Sequence, residues 1–285
     1  MNNTERLVHI IDDLTGECKI RDYLKNHLGF STSLIAKVKY DNVLLNGVAV
    51  HMRAIVKNND EITVIFPEEE SENINPIDMP LNIIYEDEYL LAINKPKNMP
   101  VHPCRGNHLP TLAEGVRAYL GKPFVFRAVN RLDRDTSGIV LIAKSQLAAA
   151  KMCVAMQKKH FDKTYIALVV GIPEKERGTI NAPIEREAEG NIKRVVTPDG
   201  KESITEYQVI GQTEDKNSIV KVNAITGRTH QIRVHFAHIG HPLVNDFLYG
   251  ERSDEGKTYT LHCTEITFPH PKDNQPITIS CELKI

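Results

Sequence analysis

The apolar residues of the first third of the chain follow two spacings, and turn-forming residues separate the segments that carry them. Between 20 and 28 they recur at helical spacing, and Gly29 follows, which predicts a helix that ends at the glycine. Ser31 is suited to cap a second helix, which we expect to continue to Lys39. The chain therefore begins with two short helices.

A strand-turn-strand pattern follows these helices. Apolar runs at 43–45 and 48–50 flank Asn46-Gly47. An Asn-Gly pair in this setting is a strong hairpin signal, because both residues tolerate positive φ. A further strand is expected at 62–66.

Three regions follow from this patterning. Residues 15–67 are predicted to form a small, compact α+β unit. Residues 68–80 are acidic and contain Pro76 and Pro80, which is typical of a flexible linker. From 81 to 285 the pattern is strand-rich with interspersed helices, so we expect one larger domain there.

The larger region carries both helix and strand signals. Thr111 and Glu114 have the spacing of a capping box, and Gly121 marks the end of the helix that they open. A second helix is predicted from 145 to 159 and a third from near Thr229. The strands are expected at 83–85, 89–94, 139–143, 163–170, 205–210, 218–224 and 277–283.

Charge is distributed unevenly, although the formal net charge is only −2. Residues 58–88 carry ten Asp and Glu and no Lys or Arg, whereas residues 105–165 carry eleven Lys and Arg against four Asp and Glu. The local field, more than the net charge, steers a polyanion toward a protein. The basic segment is therefore compatible with a nucleic-acid partner.

The cysteine pattern and the apolar runs also indicate the cellular compartment in which we expect the protein. The five cysteines are widely spaced and form no Cys-x-x-Cys pair, which favours free thiols in a reducing compartment. The first residues lack the features of a signal peptide, and no apolar run approaches the ~20 residues that span a bilayer. We expect a cytoplasmic, monomeric protein without a membrane segment.

Residues 130–138, Asn-Arg-Leu-Asp-Arg-Asp-Thr-Ser-Gly, place two carboxylates among two guanidiniums in a turn before an apolar strand. A nearby cation favours the ionised form of a carboxylate, and an ionised aspartate can act in covalent or general-base chemistry. On composition alone, a surface turn with an Asp–Arg ion pair is the simpler interpretation. Spacing alone does not choose between Asp133 and Asp135.

This segment resembles the signature of the RluA-type RNA pseudouridine synthases, His-Arg-Leu-Asp-x-x-Thr-Ser-Gly, with Asn130 in place of the histidine. Other segments resemble further motifs of that family in the same order. They are Asn-Lys-Pro to His-Pro at 94–103, the tyrosine-bearing strand at 163–171, Thr-Gly-Arg-Thr-His-Gln-Ile-Arg-Val-His at 226–235, Leu-His at 261–262 and Phe-Pro-His-Pro at 268–271. Residues 81–285 are thereby identified as similar to a RluA/RluD-type catalytic domain.

The small unit resembles the RNA-binding domain named after ribosomal protein S-four. The resemblance rests on its two helices and on the Leu-Leu-Asn-Gly and Asn-Asp-Glu-Ile-Thr-Val segments. Only Lys37 and Lys39 supply positive charge after Ser31, so a structural module that does not bind RNA stays open.

The family resemblance implies an α+β enzyme with a mixed, largely antiparallel sheet that isomerises uridine within RNA. The N-glycosidic bond breaks, the uracil turns within the site, and its carbon 5 bonds to the anomeric carbon. This chemistry requires no metal and no cofactor. Large-subunit ribosomal RNA is the favoured substrate of such a domain combination, and transfer RNA is the alternative.

The resemblance also implies three catalytic residues. Asp133 would act as a nucleophile or as the base for a sugar proton, and Arg233 would keep it ionised in a pocket that excludes water. Tyr165 would stack on the uracil, and a base–aromatic contact of this kind is worth about 1–3 kcal/mol.

Four further residues are predicted to contact RNA. A target in structured RNA must be extruded, and Arg131, two residues before Asp133, can occupy the vacated space. Arg228 in the Thr-Gly-Arg turn and His230 beside it are suited to phosphate or base contacts, and Lys163 is suited to the RNA backbone.

Two other functions stay open at this point. His230, His235, His238 and His241 lie within twelve residues, and imidazoles bind zinc well. A metallohydrolase would lack a His-Glu-x-x-His motif, however, and Asp246 is the nearest carboxylate. The other alternative is an RNA-binding or ribosome-assembly protein without catalysis.

Overall fold

Two main sheets organise the chain, and the computed structural model describes residues 5–67, 74–103, 109–121, 124–250 and 258–283. The elements of the first region are β1 (Arg6–Ile10), β2 (Cys18–Lys19), α1 (Ile20–Asn26), α2 (Thr32–Val38), β3 (Val43–Leu45), β4 (Val48–Ala49), β5 (Ile55–Val56) and β6 (Glu61–Ile65). The first sheet has the strand order β1-β6-β3-β4, and β2 pairs separately with β5.

The local signals of the first region produce the predicted elements. Helix α1 ends before Gly29, and the Ser31 hydroxyl caps α2 by accepting the Leu34 N–H at 3.1 Å. Asn46 and Gly47 have φ values of 51° and 81°, which are the left-handed values that a two-residue hairpin turn requires. The two helices and the hairpin are therefore confirmed.

Strand β1 lies before the predicted start of the small unit at residue 15. It pairs antiparallel with β6 along its whole length and forms an edge of the sheet. Val8 and Ile10 are 58% and 61% exposed. The strand thus carries apolar residues on its solvent face as well, and it lacks the alternation by which a half-buried strand is identified. The first sheet therefore includes residues upstream of 15.

The second region contains a larger sheet and three helices in the described ranges. Its elements are β7 (Ile83–Glu86), β8 (Leu90–Lys95), α3 (Leu112–Leu120), β9 (Ser137–Ala143), α4 (Gln146–Gln157), β10 (Asp162–Val169), β11 (Arg177–Asn181), β12 (Ile184–Arg186), β13 (Arg194–Val196), β14 (Ile204–Gln212), β15 (Ser218–Ala224), α5 (Gln231–His238), β16 (Leu261–Pro269) and β17 (Pro276–Ser280). The strand order is β11-β14-β15-β10-β16-β9-β8-β7, with β17 paired to β16. Among the described strands, only β9 and β16 pair in parallel. The predicted mixed, largely antiparallel sheet is confirmed.

All three predicted helices of this region are present. Thr111 and Glu114 form the capping box of α3, and the Ser145 hydroxyl caps α4. Strand β16 was not predicted, because polar residues such as His262 and Thr264 interrupt its apolar pattern. It nevertheless lies centrally, between β10 and β9. The hairpin of β12 and β13, which packs beside α5, was not predicted either.

Part of the predicted linker is attached to the larger region. The Ile77 N–H donates to the Glu114 carbonyl at 3.2 Å, and Met79 packs against Gly115. Residues 68–73 lie outside the described residues. Ala150 of α4, a helix of the larger region, belongs to the apolar core of the first region, so the two regions are in direct contact.

Two expectations from composition can be compared with the described residues. Cys18, Cys153, Cys263 and Cys281 are free thiols, whereas Cys104 lies outside the described ranges. Within those ranges, none of the helices combines the length and apolarity needed to cross a bilayer.

Gly138, the glycine of the Thr-Ser-Gly segment, is required by the parallel pairing of β9 with β16. It lies opposite Cys263 with a φ of 108°. A Cβ at this position would collide with the backbone of Cys263. The glycine of the signature thus permits two central strands to approach each other.

We expect Gly138→Ala to lower the free energy of unfolding by about 2–4 kcal/mol, because backbone strain and steric overlap act together. Gly240→Ala is the matched control, since Gly240 also has a positive φ but has no atom within 4 Å of an added Cβ. It should cost about 1 kcal/mol. Urea unfolding of both variants measures the difference, and equal losses would contradict the role of strand approach.

Candidate active site

A cavity of about 700 Å³ lies beside the turn that precedes β9. It is lined by segments that are distant in sequence: the 128–136 turn, β10, and the loop and helix from 224 to 233. All seven residues predicted from the sequence line it, namely Arg131, Asp133, Lys163, Tyr165, Arg228, His230 and Arg233. The fold therefore brings the whole predicted set to one place.

Asp133 is the carboxylate of the signature that faces the cavity. Its side chain is 27% exposed, and its Oδ2 lies 3.6 Å from Arg233 Nη1 and 3.9 Å from His230 Nε2. Asp135 is buried and does not line the cavity. It forms an ion pair with Arg134, whose Nη2 lies 2.9 Å from Asp135 Oδ2. The ion pair that composition alone suggested therefore exists, but it involves the neighbouring aspartate.

Arg233 is 3% exposed and is held by a second carboxylate. Its Nε and Nη2 donate to the two oxygens of Asp246 at 2.7 and 2.8 Å, which leaves Nη1 directed at Asp133. The rings of Tyr259 and Tyr249 lie 4.4 and 5.0 Å from the guanidinium carbon. Burial alone would lower the pKa of Arg233, but Asp246 and the other neighbouring groups outweigh it and raise that pKa. The guanidinium is thus a permanent, fixed cation.

Asp246, Tyr249 and Tyr259 were not identified from the sequence as parts of the site. From the sequence, Asp246 was interpreted only as a possible metal ligand near the histidines. Its side chain is fully buried and also accepts the N–H groups of Leu248 and Tyr249. A buried, bidentate Asp–Arg pair of this kind is formed by tertiary packing and has no local sequence signal.

Tyr165 forms part of the cavity wall from strand β10. The residue is almost completely buried, and this burial raises the pKa of its hydroxyl well above the ordinary value. The side chain therefore presents a neutral aromatic group to the cavity. A ring of this kind is able to stack on a planar base.

The cavity rim is basic. Arg131 and Arg228 are exposed there, and Lys163 is half-buried. Burial lowers the pKa of Lys163. Arg194 on β13 also lines the cavity, and its buried Nε has no hydrogen-bond partner among the described residues. Sequence reasoning missed Arg194, because the hairpin that carries it resembles a polar loop.

Asn130, where the chain departs from the family signature, connects the turn to strand β9 through its side-chain amide. Its Nδ2 donates to the Ile139 carbonyl at 2.9 Å, and its Oδ1 accepts the Leu141 N–H at 2.8 Å. Both ends of the amide are therefore hydrogen-bonded to β9. The asparagine fixes the turn that carries Asp133 to the adjacent strand.

Lys95 of the Asn-Lys-Pro segment supports the same turn from the other side. Its ammonium is completely buried and donates to the carbonyls of Pro96, Met99 and Arg134 at 2.8–3.0 Å. Burial lowers the pKa of Lys95 to about 8, although the negative charges of Asp135 and Asp133 act to raise it. This lysine joins the 96–99 segment to the turn.

The histidines do not converge on a metal site. His235 lies between the Thr205 hydroxyl and the Ala182 carbonyl, and His241 Nδ1 lies 2.9 Å from the Val170 carbonyl. In the part of the chain that the structure describes, no group of three His, Cys, Asp or Glu side chains is placed to hold a metal ion. His235 and His241 therefore have structural hydrogen-bonding roles in this fold.

A mixed sheet with an aspartate, a buried arginine and a tyrosine in one basic cavity is the arrangement that the family resemblance implied for an RNA-modifying isomerase. Comparison with known proteins supports this class. Residues 89–238 match the RNA pseudouridylate synthase family. The chain belongs to this family and is an RNA pseudouridine synthase.

Individual relatives support the same assignment. The chain is 36% identical over 258 residues to the uncharacterized RNA pseudouridine synthase YjbO of Bacillus subtilis, covering 88% of this chain and 90% of that protein. It is 36% identical over 227 residues to the ribosomal large subunit pseudouridine synthase D of Pasteurella multocida, covering 75% and 67% of the two chains. Among solved structures, human RNA pseudouridylate synthase domain containing 1 superposes with a TM-score of 0.61 at 28% identity, covering 71% of this chain and 84% of that one.

Proposed function

We propose that this enzyme converts specific uridines of large-subunit ribosomal RNA to pseudouridine and that Asp133 carries out the reaction. The observation that supports the catalytic assignment is the position of Asp133 in the cavity, with Arg233 Nη1 3.6 Å away. The relative named ribosomal large subunit pseudouridine synthase D supports the substrate assignment. Transfer RNA is the alternative substrate.

The reaction breaks one bond of the anomeric carbon, forms another, and exchanges one proton. The bond between uracil N1 and the anomeric carbon breaks, and a bond forms from that carbon to carbon 5. The proton on carbon 5 is lost, and N1 gains a proton. Asp133 would either attack the anomeric carbon or remove a sugar proton, and either role requires an ionised carboxylate. The fixed cation of Arg233 stabilises this charge.

The remaining residues would hold and admit the nucleotide. Tyr165 would support the detached uracil by stacking, because an aromatic face permits rotation while retaining the base. Arg131 is exposed two residues before Asp133 and would occupy the space that the flipped uridine leaves. Arg228, Lys163 and Arg194 would contact phosphates along the rim.

We propose a division into a small domain that extends the predicted 15–67 range upstream to include β1, and a catalytic domain over 81–285. The direct contact of the small core with α4 would hold the two domains in one orientation.

Because a single chain supplies every residue of the proposed site, we expect a monomer to be active.

Mapping pseudouridine across cellular RNA, with and without this protein, tests the function. We expect one or more sites in large-subunit ribosomal RNA to disappear in its absence and to return when the wild-type protein is restored. The Asp133→Asn protein should not restore them. Loss of sites in transfer RNA alone would favour the alternative substrate, and persistence of every site would contradict the proposed function.

A further inference from the structure

His230 has a left-handed backbone conformation at the start of α5. It is the N-cap residue with φ 57° and ψ 17°, in the left-handed region, and its side chain makes no capping hydrogen bond. Eight other non-glycine residues among the described ones also have a positive φ, and histidine adopts this region more readily than most residue types. The contacts of the imidazole, and not the backbone angle, therefore indicate its role. The imidazole lies between Asp133 and Tyr249.

We infer that His230 is a positioning residue for Asp133, held by the Tyr249 hydroxyl as a neutral imidazole with its proton on Nε2. This inference rests on the proposed role of Asp133 and replaces the sequence-based expectation that His230 contacts RNA. The hydrogen bonds around Tyr249 and the approach of two donors to one carboxylate oxygen support it.

The hydrogen bonds of Tyr249 select the tautomer of His230. The Tyr249 oxygen accepts the backbone N–H of Arg194 at 2.9 Å, and His230 Nδ1 lies 2.7 Å away. Burial raises the pKa of Tyr249 to about 12, so the hydroxyl keeps its proton and can donate it to Nδ1. An Nδ1 that accepts this proton leaves the proton of the neutral ring on Nε2.

The charges around His230 also favour the neutral ring. Burial lowers the pKa of His230, and the cations of Arg233 and Arg194 act in the same direction. The carboxylates of Asp133 and Asp246 oppose them without reversing the shift. The imidazole is therefore a neutral donor near pH 7.

Nε2 of His230 and Nη1 of Arg233 approach the same oxygen of Asp133. They lie 3.9 and 3.6 Å from Oδ2, and among the described residues Oδ1 accepts no hydrogen bond. A distance of 3.9 Å exceeds a hydrogen bond, but such contacts often shorten when substrate binds. Two donors at Oδ2 would fix the carboxylate plane and leave Oδ1 as the reacting oxygen.

Two substitutions at His230 separate the roles of the ring nitrogens. Asn is well tolerated in the left-handed region, but its amide is too short to reach the position of Nε2. Gln can place an amide N–H near that position. We expect His230→Asn to lower the single-turnover rate at saturating enzyme by about 10- to 100-fold, the range for one hydrogen bond to a charged group. His230→Gln should recover most of this loss.

Tyr249→Phe tests the tautomer without changing Asp133 or His230. Phe keeps a ring beside Arg233 but removes the hydroxyl, whose donation to Nδ1 stabilises the neutral imidazole. It also removes the acceptor of the Arg194 backbone N–H. We expect a lower single-turnover rate and an acidic limb of the pH–rate profile that moves to higher pH. RNA dissociation constants from filter binding should stay within about twofold in all three variants. Thermal melting checks that each is folded.

The outcomes distinguish this inference from the proposed function. Weaker RNA binding with an unchanged rate at saturation would make His230 an RNA contact and overturn the inference. Equal losses in His230→Asn and His230→Gln would also overturn it, because the donor at Nε2 would then be irrelevant. Full activity of Asp133→Asn would instead refute the proposed role of Asp133, on which this inference rests, whereas the proposed function is contradicted only if every mapped pseudouridine persists without the protein.

Discussion

Asp133→Asn should abolish isomerisation while RNA binding persists. The amide keeps the shape of the side chain but supplies neither a nucleophile nor a base, so the single-turnover rate should fall by at least about 10⁴-fold. The dissociation constant for RNA should change little, because the basic rim residues remain. Pseudouridine formation on a transcript that contains a mapped site, together with filter binding, measures both quantities.

Asp135→Asn is the matched control for this prediction. The two aspartates share one turn, but Asp135 lies outside the cavity and pairs with Arg134, whose side chain is 48% exposed. Asp135→Asn should therefore retain most of the activity of each folded molecule. If Asp135→Asn lost activity and Asp133→Asn did not, the assignment of the reacting carboxylate would be reversed.

Asp246→Asn should have the second-largest effect, on stability as well as activity. Asp246 and Arg233 form a bidentate pair with both side chains buried. Removal of this charge leaves the buried guanidinium with only Asp133, 3.6 Å away and partly exposed, as a counter-charge. Breaking a buried pair in this way costs about 3–5 kcal/mol of unfolding free energy. Arg233 would also lose the contact that directs Nη1 at Asp133, so the single-turnover rate should fall.

The ion pair between Glu86 and Lys144 provides the control for Asp246. Its N···O distance is 3.0 Å, but the two side chains are 29% and 22% exposed and solvent screens them. Glu86→Gln should cost at most about 1 kcal/mol in urea unfolding and leave the reaction rate unchanged. Equal stability losses in the two variants would contradict the importance of the buried pair.

Local signals predicted those parts of the fold that depend on neighbouring residues. The cap at Ser31, the capping box at Thr111 and the turn at Asn46-Gly47 each satisfy backbone geometry within a few positions. Strand β1 and the central strand β16 were missed, because their residues do not follow a simple apolar alternation. Their strand conformation depends on partners that lie far away in the sequence.

The residues of the candidate site also fall into those that the sequence predicted and those that only the structure showed. The seven residues predicted through family motifs line one cavity, because contiguous motifs can be compared directly along a chain. Asp246, Tyr249 and Arg194 were missed, since their relation to the site consists of contacts with residues on other elements. The support that Asn130 gives to β9 was likewise visible only in the structure.

The sequence by itself determined the chemical class of this protein, because the order and spacing of its motifs identify the reaction that they perform. It also determined the helices, turns and caps that arise from local backbone geometry. Only the tertiary structure decided that Asp133, and not Asp135, faces the cavity, and that Arg233 is held by Asp246. The physical reason is that burial and side-chain direction depend on long-range pairing, such as that of Gly138 with Cys263, which spacing along the chain does not contain.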